Sequence, residues 1–233
     1  MLVLGFPAQA FDTNCYLVAQ APGEECLIVD PGVGVVDQLG EILREYRLRP
    51  AAVLLTHGHV DHIFSVTPVC GAHGVAARVH TDDRYRLADP SATLGRQLRG
   101  LFKQQFGKEG WKEPDDVVTI TDGQTLSLAN IDVGVVHAPG HTEGSVLFTV
   151  PGVPDGLPAD AGLTSTLLSG DVLFAGSIGR TDLPGGDGAA MTRSLRETVL
   201  PMPDDVLVLP GHGQPTTIGQ ERATNPFLRA VAD

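Results

Sequence analysis

The apolar run Ala51–Leu55 stops at Thr56-His57-Gly58-His59-Val60-Asp61-His62. Four groups able to hold a metal ion fall within six residues of one another. A strand must therefore end here and turn tightly enough to aim those side chains at one point. Neutral imidazole and carboxylate are the groups that hold zinc, manganese or iron. Three histidines and an aspartate at this spacing are rare by chance. Three later segments repeat the design. His141 follows the run Ile131–Val136 in VVHAPGHTEGS, Asp171 follows Leu167-Leu168 in LLSGDVLF, and His212 follows Val206–Leu209 in VLVLPGHGQPT. Each lies beside a glycine, which lets the backbone turn sharply near an ion. One common site at the edge of the sheets is the simplest account.

Further runs rich in Val, Ile and Leu read as strands: Cys15–Ala19, Cys26–Val29, Ser145–Val150 and Thr166–Leu168. Between Ile28 and Ala51 the spacing of Val36, Leu39, Ile42 or Leu43, and Tyr46 predicts a helix. A second helix is predicted over Ser91 to Phe106. A third follows Asp187 through Met191, Leu195 and Val199 and stops at Pro201. Pro151–Ser165 reads as a Gly/Pro-rich loop, the segment least expected to be ordered. Strands interleaved with helices suit a sandwich of two mixed sheets with helices outside, one option among several α/β folds on periodicity alone. The length, 233 residues, predicts one domain over 1–233.

The formal net charge of −12 argues against a nucleic-acid or membrane partner. The three cysteines, Cys15, Cys26 and Cys70, match no disulfide or zinc framework and read as reduced thiols of a cytoplasmic protein. The first residues, MLVLGFPAQAF, have no cationic start or cleavage site and do not read as a signal peptide.

The sequence resembles the metallo-β-lactamase superfamily, and within it the glyoxalase II-like hydrolases of the short bacterial hydroxyacylglutathione hydrolase type. The resemblance runs from Thr13-Asn14-Cys15-Tyr16 and Val29-Asp30-Pro31-Gly32, through the HxHxDH motif, to Gly211-His212-Gly213 and the tail Thr216–Leu228. It implies an αββα sandwich of two mixed β-sheets flanked by helices. It also implies two divalent metal ions, zinc first, with iron and manganese as the alternatives. Carried over, His57, His59 and His141 hold the first ion, Asp61, His62 and His212 the second, and Asp171 bridges both.

No serine or cysteine in these motifs is presented as a nucleophile, which leaves water. Two ions about 3.5–4 Å apart can share a hydroxide generated at neutral pH. That hydroxide would attack a carbonyl, with Asp61 as ligand and orienting group. A thiolate leaves with little protonation, so a small-molecule hydroxyacyl thioester such as S-lactoylglutathione is the expected substrate. Asp30 is either a turn former before Pro31 or the acceptor for the free ring nitrogen of a ligand histidine. Arg180, in Gly-Arg-Thr-Asp, either binds a substrate carboxylate or fixes its loop by pairing with Asp182 or Glu143. His73, His80 and His137 lie outside the motifs and read as surface or core residues, as does Trp111.

Twenty-one residues follow His212, and Gln214 stands where glyoxalase II has a tyrosine. The C-terminal glutathione-binding extension of that family is therefore not expected. The alternative function is that of a mononuclear iron persulfide dioxygenase, which shares the His/Asp motifs. Class B β-lactamases, nucleases and non-catalytic metal-binding proteins rank lower. A monomer or small homo-oligomer is expected.

Overall fold

Alternation along the strands decides the layering. In the strand Asn14–Ala19 (β2), Cys15, Leu17 and Ala19 face one way and Tyr16 and Val18 the other. Glu25–Val29 (β3) does the same, with Cys26 and Ile28 opposed to Leu27 and Val29. A strand apolar on both faces must be covered on both. Here Tyr16, Val18, Leu27, Val29, Ala52 and Leu54 pack against Ile131, Val133, Val135, Phe148, Leu168 and Leu209 of a second sheet. Cys15, Leu17, Ile28 and Val53 pack under helices carrying Leu39, Leu43, Ile63 and Val69. On the far side Leu147, Leu167 and Val208 pack under Met191, Leu195, Ile218 and Leu228. The layers are helix, sheet, sheet, helix, the architecture expected from the sequence.

This is the arrangement in a computed structural model that describes residues 1–94, 99–100, 111–158 and 161–232. The first sheet has the order β1 (Leu2–Pro7), β2, β3, β4 (Arg49–Leu54), β5 (Ala77–His80), β6 (Val117–Ile120). It is antiparallel across β1–β3 and parallel from β3 to β6. The remaining strands are β7 (Thr125–Leu128), β8 (Ile131–His137), β9 (Val146–Pro151), β10 (Ser165–Gly170), the short pair β11 (Leu173–Phe174) and β12 (Ser177–Ile178), β13 (Val206–Pro210) and β14 (Thr216–Thr217). The second sheet runs β14-β13-β10-β9-β8-β7, with β10 and β13 parallel.

The helix expected before Ala51 spans Val36–Glu45 and buries Leu39 and Leu43, one turn apart. The helix after Asp187 spans Gly188–Ser194 and widens into a π-helical turn, Leu195–Val199. Asp187 starts it by accepting hydrogen bonds from Ala189 N and Ala190 N at 2.8 and 3.0 Å. The helix predicted over Ser91–Phe106 falls largely outside the described residues; within them Pro90–Thr93 is a short 3-10 turn. β1, β5, β6, β7, β14 and the short pair β11–β12 were not anticipated. Four of them, β1, β6, β7 and β14, are sheet edges, with a neighbour on one side only, and the apolar pattern thins there. No helix among the described residues is long and apolar enough to cross a membrane.

Candidate metal centre

Four strand ends converge at one edge of the sandwich. β4 stops at Leu54, and the chain turns through His57 and His59 into one helical turn, Val60–Ile63, carrying Asp61 and His62. His141 lies in the loop between β8 and β9. Asp171 and His212 directly follow the parallel strands β10 and β13, and the Gly211 amide donates to the Gly170 carbonyl at 2.8 Å. A methyl group on Gly211 would collide with the Asp171 carboxylate and the His62 ring. The Val146 amide donates to the Thr56 carbonyl at 2.9 Å and ties the two sheets together where the site opens.

All seven ligand-type residues come together. His59 Nδ1 lies 3.1 Å from His57 Nε2 and 2.8 Å from His141 Nε2. Asp61 Oδ2 lies 3.3 Å from His212 Nε2 and 3.6 Å from His62 Nε2. Asp171 stands between the two triads. Its Oδ2 is 3.4 Å from His141 Nε2 and 3.6 Å from His212 Nε2, and its Oδ1 is 3.3 Å from His62 Nε2.

This donor set fits metal ions. His62 Nε2 and Asp171 Oδ1 are buried side-chain atoms with no hydrogen-bond partner, and each such orphan costs about 1–3 kcal/mol unless something else satisfies it. Burial pushes the pKa values of His57, His59 and His141 down, His59 to about 3, so these rings are neutral with lone pairs available. Burial acts to raise Asp61 and Asp171, but the facing His62 and His212 outweigh it and hold both carboxyls below the usual range. Burial likewise acts to lower His62 and His212, but the carboxylates of Asp171 and Asp61 win and raise both. The field of the second triad thus favours a cation.

Asp30 braces two of these histidines at once. Its Oδ2 lies 2.9 Å from His62 Nδ1 and accepts the Thr56 hydroxyl at 2.6 Å, and its Oδ1 accepts the Thr56 amide at 2.8 Å. Thr56 Oγ1 is 3.1 Å from His57 Nδ1. Asp30 itself sits at φ 50°. The carbonyl of Arg180, not its side chain, meets His141 Nδ1 at 2.7 Å. The Arg180 guanidinium is exposed and grips Asp182 with two bonds of 2.6 and 2.7 Å.

The sequence reading missed two supports. Asp83 is fully buried and accepts four hydrogen bonds: Oδ2 from Gly58 N and Thr142 Oγ1, both at 2.7 Å, and Oδ1 from Arg86 Nε and Gly144 N, both at 2.9 Å. It therefore fixes the loop between His57 and His59 and the loop after His141. Arg86, also fully buried, continues to Glu143 and fills the space where a side chain at position 58 would stand. The second support is the end of the β1–β2 loop with the start of β2. Thr13 Oγ1 donates to Asp61 Oδ2 at 3.2 Å, and Thr13 bridges His212 through the backbone. Asn14 Nδ2 donates to the carbonyls of Pro210 and Gly213 at 3.0 and 2.9 Å. Cys15, Cys26 and Cys70 are buried and free, and burial pushes their thiols up, Cys26 and Cys70 to about 12.

The family model described as the metallo-beta-lactamase superfamily matches residues 8–212. An uncharacterized protein of Mycobacterium tuberculosis is 45% identical over 233 residues, covering 100% of both chains. Hydroxyacylglutathione hydrolase GloC of Haemophilus influenzae is 32% identical over 225 residues, 96% of both chains. Among solved structures, BLEG-1, named a B3 metallo-beta-lactamase, superposes with a TM-score of 0.76 at 34% identity, covering 97% of this chain and 99% of that one. TTHA1623, in a di-iron-bound form, gives 0.74 at 32%, covering 96% and 99%.

Proposed function

The chain belongs to the metallo-β-lactamase superfamily of metal-dependent hydrolases, and on that premise we propose that it is a two-metal thioesterase acting on hydroxyacyl thioesters. The observation that carries the two-metal reading is Asp171, whose carboxylate reaches His141 and His212 through one oxygen and His62 through the other. His57, His59 and His141 would hold one ion, Asp61, His62 and His212 the other, with Asp171 shared. When bound, such a pair of divalent ions supplies a nucleophilic water at neutral pH and polarises a carbonyl oxygen.

The chain's own residues do the positioning. Asp61, held ionised by its histidine neighbours, accepts a hydrogen bond from the attacking water and aims it. Asp30, Thr56 and the Arg180 carbonyl fix His62, His57 and His141. Among the described residues, the acids at the centre are Asp61, Asp171 and Asp30, each facing a histidine, which suits a leaving group such as a thiolate that needs little protonation. The relative GloC, named a hydroxyacylglutathione hydrolase, supports the acyl-thioester class. The likeness to BLEG-1, a protein named for lactam cleavage, supports a second reading, β-lactam hydrolysis by the same water.

Metal analysis of protein purified without chelator, followed by parallel assays, tests both. Close to two ions per chain, zinc or iron, are expected, with free thiol released from S-lactoylglutathione and slow turnover of a chromogenic cephalosporin. A single iron together with rapid oxygen uptake on glutathione persulfide would replace the hydrolase by a dioxygenase.

A further inference from the structure

The ligand motifs leave out His73, His80 and His137. The structure brings two of these together, in a cluster separate from the two triads described above. His80 ends β5 in the first sheet and His137 ends β8 in the second. Their rings stack 4.0 Å apart and 14° from parallel. Asp82 lies across them, its Oδ2 3.7 Å from His80 Nδ1 and 4.0 Å from His137 Nε2. One ligand atom from each of the three lies within 4.8 Å of the others.

The local charge is unbalanced. Asp122 is also at this end, with Oδ1 accepting the His137 amide at 2.8 Å. Among the described residues, the ion-pair partners found for Asp82 are His80 and His137, and no lysine or arginine pairs with Asp82 or Asp122. Asp83 next door is matched by Arg86.

We propose that His80, Asp82 and His137 form a further binding site for a divalent transition-metal ion, joining the ends of β5 and β8 across the two sheets. A tetrahedral zinc with bonds of about 2.0–2.2 Å holds its ligand atoms roughly 3.4 Å apart, so the carboxylate needs to close by only a few tenths of an ångström. Asp82 is exposed and can do so. The two stacked rings do not yet aim their lone pairs at one point, and His80 Nδ1 accepts the Asp82 amide at 3.3 Å, a long bond that the ion would replace. His137 is the more exposed of the two, and its tilt releases Nε2 from the Glu143 carbonyl, now at 2.8 Å. Three protein ligands leave a fourth position for water or Asp122. Because the ion binds the folded sheet ends, it stabilises the fold by mass action.

The test is a zinc titration of the full chain stripped of metal, against a competing chromophoric chelator. Wild type is expected to take up one equivalent more than Asp82→Asn and one more than His137→Gln. That difference does not depend on how many ions the principal centre holds, so it stands or falls apart from the two-metal reading. In wild type, the ring nitrogen resonances of His80 and His137 should move together as the last and weakest equivalent binds, and the melting temperature should rise with it. Equal uptake by wild type and both variants overturns the site. So do unmoved His80 and His137 resonances at saturating zinc, a result that needs no variant to fold.

Discussion

The two halves of the candidate metal centre are built differently. His57, His59 and His141 are 1%, 5% and 3% exposed. In the other half His62 is fully buried, but Asp61 and His212 leave 21% and 28% of their side chains in solvent. The first half is set by the buried Asp83, which grips the loops carrying all three histidines. The second is held from outside by Thr13 at the end of the β1–β2 loop and Asn14 at the start of β2. An enclosed triad backed by charged hydrogen bonds can hold an ion tightly, and an open one can admit substrate and exchange its ion. Asp171 is the group common to both, so it tests whether the halves act as one centre.

The largest effect is therefore expected at Asp171→Ala. It removes the carboxylate that faces His62, His141 and His212 together. Hydrolysis should fall by more than the roughly 10–100-fold usual for residues that only orient ligands. Bound metal should drop toward one ion per chain, with the fold retained. Full activity and full metal content in this variant would show two independent half-sites and end the comparison.

Asp83→Asn should sharpen it. The substitution keeps one carbonyl oxygen but takes an acceptor from the network that serves Gly58, Thr142, Gly144 and Arg86. Breaking a buried pair outright costs about 3–5 kcal/mol, so Asn is chosen over Ala and folding is followed by thermal melts. Competition binding should show the enclosed half weakened by roughly 10–100-fold, erasing its advantage over the open half in resistance to chelator. Equal weakening of both halves would mean that Asp83 serves general stability and not the first triad.

These two residues mark how far the sequence could be read. Asp171 was legible because it stands beside a glycine just past an apolar strand, as do His141 and His212, and the contiguous His57–His62 segment declared the site. Alternating or continuous apolar runs also gave the central strands within about one or two residues at each end. Asp83 carried no such mark. It sits in a Thr-Asp-Asp turn, and two of its four donors are amides of glycines, Gly58 and Gly144, which have no side chain to suggest a partner. Its role depends on β5 bringing that turn under the histidine loops, and β5 itself was not read. Thr13 lay in a recognised stretch, but its hydroxyl contact with Asp61 is a product of tertiary packing. Arg180 was singled out for its guanidinium, whereas the contact that reaches the centre is its carbonyl.

The smallest expected effect concerns that guanidinium. It lies outside both triads, in the loop after β12, and its fork is engaged by Asp182 in full solvent. Exposed pairs of this kind add little to stability, so a substrate carboxylate can take the place of Asp182 at small cost. If it does, Arg180→Ala removes binding energy felt equally in ground and transition states. The signature is a raised KM with kcat nearly unchanged, by about tenfold or less, since a charged hydrogen bond is worth at most roughly 1.5–3 kcal/mol and this one starts from water. The His141 contact survives, because alanine keeps the carbonyl that accepts it. A thioester without carboxylates should be turned over equally by both proteins. A fall in kcat on both substrates would instead place the Arg180–Asp182 pair among the supports of the enclosed half, acting through the position of the carbonyl on His141, and would move recognition of the substrate carboxylate to another part of the rim.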